Sequence, residues 1–214
     1  MAISPDGQTL YVATGDSAVY ALDTSGEGES VFLLNSDAEG LAISPNGAKL
    51  YVATTDGDLV VFDTSTGLDT NTIEVGFDPI GVTVNPAGTL IFVANSGDGS
   101  VSVIDAGTET EIANIKTSGS PEQIAVSPDG AFAYVSSATP NDVTVIDIAS
   151  RSVLLDIVDA GHGPGIAFAP SGDVAYLADY DTDELVIISS ITHQVIDRID
   201  MSGGGPWGIA VKPN

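Results

Sequence analysis

The sequence predicts an all-β chain of repeated four-stranded sheets, on three observations. A turn of the form x-Pro-x-Gly recurs at Ser4-Pro5-Asp6-Gly7, Ser44-Pro45-Asn46-Gly47, Asn85-Pro86-Ala87-Gly88, Ser127-Pro128-Asp129-Gly130 and Ala169-Pro170-Ser171-Gly172, and a sixth copy begins at Lys212-Pro213-Asn214. The prolines are 40, 41, 42, 42 and 43 residues apart. An aromatic follows each complete turn at Tyr11, Tyr51, Phe92, Tyr134 and Tyr176, on the same period. Four short strands per ~40–45 residues, repeated, spell propeller blades. The expected fold is a β-propeller of five four-stranded antiparallel blades plus one extra C-terminal inner strand. It forms a single domain over 1–214, with repeats over about 1–40, 41–81, 82–123, 124–165 and 166–208 and a partial sixth over 209–214.

Each period opens with a short apolar strand, such as Leu41-Ala42-Ile43 or Ile124-Ala125-Val126, ended by the Pro-Gly turn. Pro presets φ early in that turn and Gly tolerates positive φ at its end. A second strand carries the aromatic, as in Leu50-Tyr51-Val52-Ala53. A third runs Leu59-Val60-Val61-Phe62-Asp63 or Val101-Ser102-Val103-Ile104-Asp105. A fourth is mixed, as in Glu111-Ile112-Ala113-Asn114-Ile115-Lys116. The second strands are apolar on both faces, as a sheet between two neighbours requires. The fourth strands carry Glu74, Lys116, Asp156, Asp197 and Arg198, the charges an outermost edge needs. Chain order therefore runs from inner strand to rim.

The Ile-Ala-x-Ser-Pro-Asp-Gly turn, the Leu-Tyr-Val-Ala-Thr strands at 10–14 and 50–54 and the Val-Ile-Asp strand ends resemble the YVTN family of β-propeller repeats. The resemblance covers essentially the whole chain and implies the propeller fold; one fold carries many activities, so it implies no particular one. The name-giving Tyr-Val-Thr-Asn stretch is altered, nearest as Phe92-Val93-Ala94-Asn95. Five blades use five first strands and leave Ile209-Ala210-Val211-Lys212 spare. Either the ring closes without it, or the chain is an arc of a longer array, or the strand completes a neighbouring molecule. An open arc leaves two apolar blade faces bare.

Composition removes several function classes. With 30 acidic and 5 basic side chains the formal charge is −25, which opposes unaided binding to nucleic acid or anionic lipid. The absence of cysteine excludes disulfides, thiol nucleophiles and Cys-ligated metals. A hydrophobic content of 43% suits a packed core, no apolar run reaches membrane-spanning length, and no signal peptide is visible in this chain. Asp outnumbers Glu by 22 to 8, and this hydrated coat points to a saline, extracellular or cell-surface setting where screening relieves self-repulsion.

Chemistry is expected where the loops between blades open on one face. Glu39, Asp78, Ile80, Glu122, His162 and Trp207 fall in those loops, and Glu39, Asp78, Glu122, His162 and Trp207 are the candidate ligand-binding set. A general acid or base there would come from His162 with Glu39 or Glu122. His193 falls in a turn at the opposite end, and Arg151 and Arg198 lie near the outer strands, away from the opening. No Gly-x-Ser-x-Gly elbow stands where its fold would place it, and no His-Glu-x-x-His motif occurs. Asp179, Asp181 and Asp183 have the alternate spacing that lets a tight loop converge oxygens on calcium, although the loop lacks the glycine and terminal Glu of an EF-hand. The aspartates at third-strand ends, Asp23, Asp63, Asp105 and Asp147, are read as turn formers instead, with Ser189 in that role in the fifth repeat.

The reading of function is a non-enzymatic extracytoplasmic module for protein interaction or surface assembly. It would engage a protein partner or a second copy through a propeller face or the terminal strand, with no nucleic acid, no membrane span and no cofactor other than calcium. Two alternatives stay open: a lactonase- or lyase-type propeller enzyme acting at the axial opening, and an excised or designed repeat fragment without activity of its own.

Overall fold

The computed structural model describes residues 1–26 and 28–211. Their regular structure is all β: twenty strands in five antiparallel four-stranded sheets, each made of four consecutive strands. The chain, expected as one domain, groups into two compact units, 1–98 with 102–114, and 99–101 with 115–214. The first unit holds sheet one, β1 (Ala2–Ile3), β2 (Thr9–Thr14), β3 (Ala18–Asp23) and β4 (Glu29–Leu33). It also holds sheet two, β5 (Ala38–Ile43), β6 (Lys49–Thr54), β7 (Asp58–Asp63) and β8 (Asp69–Glu74). Most of sheet three, β9 (Pro79–Val84), β10 (Leu90–Asn95), β11 (Ser100–Asp105) and β12 (Thr110–Lys116), belongs to it as well. The second unit holds sheet four, β13 (Pro121–Val126), β14 (Phe132–Ser137), β15 (Val143–Asp147) and β16 (Ser152–Ile157). It also holds sheet five, β17 (Gly165–Phe168), β18 (Val174–Asp179), β19 (Glu184–Ser189) and β20 (Gln194–Asp200).

The punctuation works as the turn residues demand. Gly7, Gly47, Gly88, Gly130 and Gly172 all sit at φ between 70 and 79°. Each closes its turn by donating to the carbonyl three residues back, as Gly47 does to Ser44 at 2.8 Å. The side chain opening the turn braces the hairpin: the Ser44 hydroxyl accepts from the Lys49 N–H at 2.9 Å, and Asn85 Oδ1 accepts from Leu90 at 2.9 Å. At the third-strand ends, Asp63 Oδ1 accepts from the N–H groups of Ser65 and Thr66, Asp105 from Gly107 and Thr108, and Asp147 from Ser150. Ser189 makes the longer equivalent at 3.3 Å. Bonds to the Ser65 hydroxyl, then to Thr66, hold the Asp63 carboxyl below its usual range. These aspartates are structural.

Packing follows the alternation of each strand. The face of sheet one turned toward sheet two presents Tyr11, Val19 and Phe32, and these meet Leu50, Val52 and Phe62. Sheet two presents Tyr51, Leu59, Val61 and Ile73 to Ile91, Val93 and Ile104 of sheet three. In the second unit Tyr134, Val143, Val145 and Ile157 of sheet four meet Phe168, Ala175, Leu177, Val186 and Ile188 of sheet five. Each blade thus has a leading face and a trailing face. Burial pushes the Tyr134 phenol up to about 12. Its hydroxyl lies 2.6 Å from Nδ1 of His193, whose pKa burial lowers. Fourth strands are mostly exposed, as their charges require.

The extra inner strand expected at 209–212 is not formed: residues 209–211 carry no strand, and Lys212, with the sixth turn it opens, lies outside the described residues. A Cβ on Gly165, at the start of β17, would lie 2.8 Å from Gly208 Cα and 3.0 Å from Ile209 N. The matching position Gly40, the third residue of β5, meets Ile80 and Val82 of β9 in the same way. The segment therefore holds an inner-strand station, but among the described residues no second strand pairs with it.

Candidate functional site

The loop end of the inner strands is built by bulges. The ladder slips between Ala38 and Leu41, between Val93 and Asn95 opposite β9, and between Pro121 and Gln123. Pro121 and Pro79 have no N–H to give a ladder, and the slip leaves the following residue off it. That is how Glu39, Ile80 and Glu122 are set at the strand mouths. Glu39 and Asp78 are exposed and belong to the first unit, and Asp78 sits at φ 53°.

In the second unit the structure brings Glu122, His162 and Trp207 into one neighbourhood. His162 is carried in by its flanking glycines. A Cβ on Gly161 would lie 2.5 Å from the Asp179 carboxylate, and one on Gly163 would strike the Ala178 carbonyl, so only glycine lets this loop press on the end of β18. The His162 carbonyl then accepts from the Tyr180 N–H at 2.8 Å. Its ring lies between two carboxylates, Nε2 3.6 Å from Glu122 Oε2 and Nδ1 3.4 Å from Asp181 Oδ1. Glu122 Oε2 is buried without a hydrogen-bond partner. Tyr180 stands edge-on to His162 at 6.4 Å and to Trp207 at 5.1 Å between ring centroids. Trp207 is 70% exposed and Tyr180 42%. Gly205 lies so close to the Tyr180 ring that any side chain there would displace it.

Arg198, expected near the outer strand and away from the opening, starts on β20 but reaches back. Its guanidinium donates to Glu184 Oε2 at 3.1 Å and to the Asp159 and Ala160 carbonyls at 2.8 and 3.1 Å, and lies 3.5 Å from Asp179 Oδ2. It ties the loop before β17 to the loop after β18. Asp179 is buried and also accepts from the Thr182 hydroxyl at 2.8 Å. Of the three carboxylates read as a calcium set, Asp179 faces Arg198 and Thr182, and Asp181 faces His162. Among the described residues no group of three or more His, Cys, Asp or Glu side chains is arranged to hold a metal.

Sequence reasoning gave Tyr180 no role and kept Arg198 away from this end. Tyr180 stood inside the acidic loop, and nothing in the chain marked it as Trp207's neighbour. The arrangement offers negative charge, an imidazole between two carboxylates and exposed aromatic surface.

No protein-family model matches the chain, and no curated protein matches it. Among solved structures it is similar to a chain of Kuenenia stuttgartiensis hydrazine synthase, at 24% identity and a TM-score of 0.84, over 96% of this chain and 68% of that one. That likeness shows the fold: the five four-stranded antiparallel sheets are those of a β-propeller.

Proposed function

We propose that the chain is a non-enzymatic, extracytoplasmic propeller module of the YVTN-repeat kind for protein interaction or surface assembly, with its binding end at the loop cluster of the second unit. The observation that carries this reading is the exposed Tyr180–Trp207 pair beside Glu122, Asp181 and His162. Tyr and Trp are the side chains that anchor protein interfaces, and their faces attract cations. Flanking carboxylates favour the same sign of partner, so the fitting ligand is a protein segment bearing Arg or Lys. Trp207 is the chain's one tryptophan, so its fluorescence reports on this site directly. Titration with a short Arg-containing peptide should give a saturable change that a Glu-containing peptide does not, and Tyr180→Ala should weaken it about tenfold or more. Diffuse attraction to a chain of charge −25 would survive that substitution unchanged, and such a result overturns the assignment.

The lactonase- or lyase-type reading is favoured by one feature, the approach of His162 to a buried, unpartnered Glu122 oxygen. Turnover of simple lactones, lost in His162→Ala, would move the assignment there. The extracellular setting is supported by the carboxylate coat. Salt screens like charges, so the Tm should rise with added sodium or calcium chloride. A Tm indifferent to both removes that support.

A further inference from the structure

The trailing face of sheet five and the leading face of sheet one repeat, position for position, the interface that joins neighbouring blades. On the trailing face of sheet five, Tyr176, Leu185, Ile187 and Ile199 occupy the stations of Tyr51, Leu59, Val61 and Ile73 in sheet two, and of Tyr134, Val143, Val145 and Ile157 in sheet four. In those two sheets the set is at most 7% exposed; in sheet five Ile199 is 44% exposed and the other three are half-buried. On the leading face of sheet one, Leu10, Val12 and Leu22 match Leu50, Val52 and Phe62 of sheet two, all at most 1% exposed, yet they too are half-buried. The neighbouring Val31 is 42% exposed.

We infer that these two faces dock on each other between molecules, the trailing face of sheet five on one copy receiving the leading face of sheet one on a second copy. The occupant is identified by complementarity already displayed in the protein. Trailing faces of this residue set close on Ile91, Val93 and Ile104 between sheets two and three and on Ala175, Leu177, Val186 and Ile188 between sheets four and five, and the leading face that sheet one covers on sheet two is Leu-Val. The half-buried leading face of sheet one, with Leu10, Val12 and Leu22, has that make-up. The two faces differ, so the contact is heterologous and joins copies head to tail. Asp197 rims one face and Glu29 the other, so joining brings like charges together and association strengthens with salt.

The test is native mass by light scattering across protein concentration at low and high salt, on the wild type, Ile199→Asp and Leu10→Asp. The wild type should form oligomers that grow with concentration and salt. Each variant alone should remain monomeric, because each has lost one of the two faces. An equimolar mixture of the two should give a one-to-one dimer and nothing larger, because one intact face of each kind remains. Far-UV circular dichroism checks folding, and Val31→Asp replaces Leu10→Asp if the latter unfolds. A wild type that is monomeric throughout, oligomers indifferent to both substitutions, or a mixture that stays monomeric overturns the inference. Peptide binding at Trp207 is read separately, so loss of one result leaves the other standing.

Discussion

Gly40→Ala is expected to destabilise the first unit by about 3 kcal/mol, the upper end for an overpacked core position. The cause is contact, since Gly40 is not in the left-handed region. A Cβ there would collide with the Ile80 carbonyl oxygen, with Ile80 C at 3.1 Å and Val82 N at 3.3 Å closing the space. All three atoms are backbone, Ile80 and Val82 lie within β9, and Val82 is paired with Val93 in the ladder. No rotamer change relieves the clash; sheets two and three must move apart or β5 must bend. Gly7→Ala is the control. Gly7 has φ 72° with nothing within 4 Å of its Cβ, so it tests backbone strain alone and should cost roughly 1 kcal/mol. Urea unfolding followed by circular dichroism compares the two. A Gly40→Ala loss no larger than that of Gly7→Ala would show that this close approach contributes nothing.

The contrast between those glycines separates what the sequence made legible from what it did not. Gly7 and its repeats were readable because a Pro-x-Gly turn is local chemistry, decided by φ preferences within four residues. The same holds for Asp63, whose carboxylate is satisfied two and three residues downstream. Gly40 gave no such signal, since its requirement is set by β9, some forty residues later. The site divides the same way. Glu122 and His162 could be placed at one loop end because a repeat puts equivalent loops at equivalent stations. Arg198 was misplaced because its strand was known but its reach was not: the long side chain returns from β20 to Asp179 at the far end of β18. The extra inner strand failed for a related reason, since close backbone approach to Gly165 sets the station of this segment while a strand also needs a hydrogen-bonding neighbour.

Phe62→Ala should cost about 3–5 kcal/mol, the range for a fully buried aromatic truncated to Ala. Phe62 is 1% exposed and stands edge-on to Phe32 at 5.4 Å, which in turn stands edge-on to Tyr11 at 5.9 Å. Tyr11 and Phe32 belong to sheet one and Phe62 to sheet two, so the three rings cross the seam between them. Removing Phe62 forfeits its own burial and leaves Phe32 facing a void. Leu22 is the informative comparison, because it holds the same register position on sheet one, opposite Leu10 as Phe62 is opposite Leu50. Chemistry alone would make Leu22→Ala costly as well, at 2–5 kcal/mol for a buried leucine. With its face only half-buried, Leu22→Ala should instead cost roughly 1 kcal/mol in dilute, low-salt solution, where copies do not associate. Chemical unfolding of both variants at low protein concentration decides the point. Equal losses would mean that the leading face of sheet one is covered even in the isolated molecule, and unequal ones that its apolar surface is left for a partner.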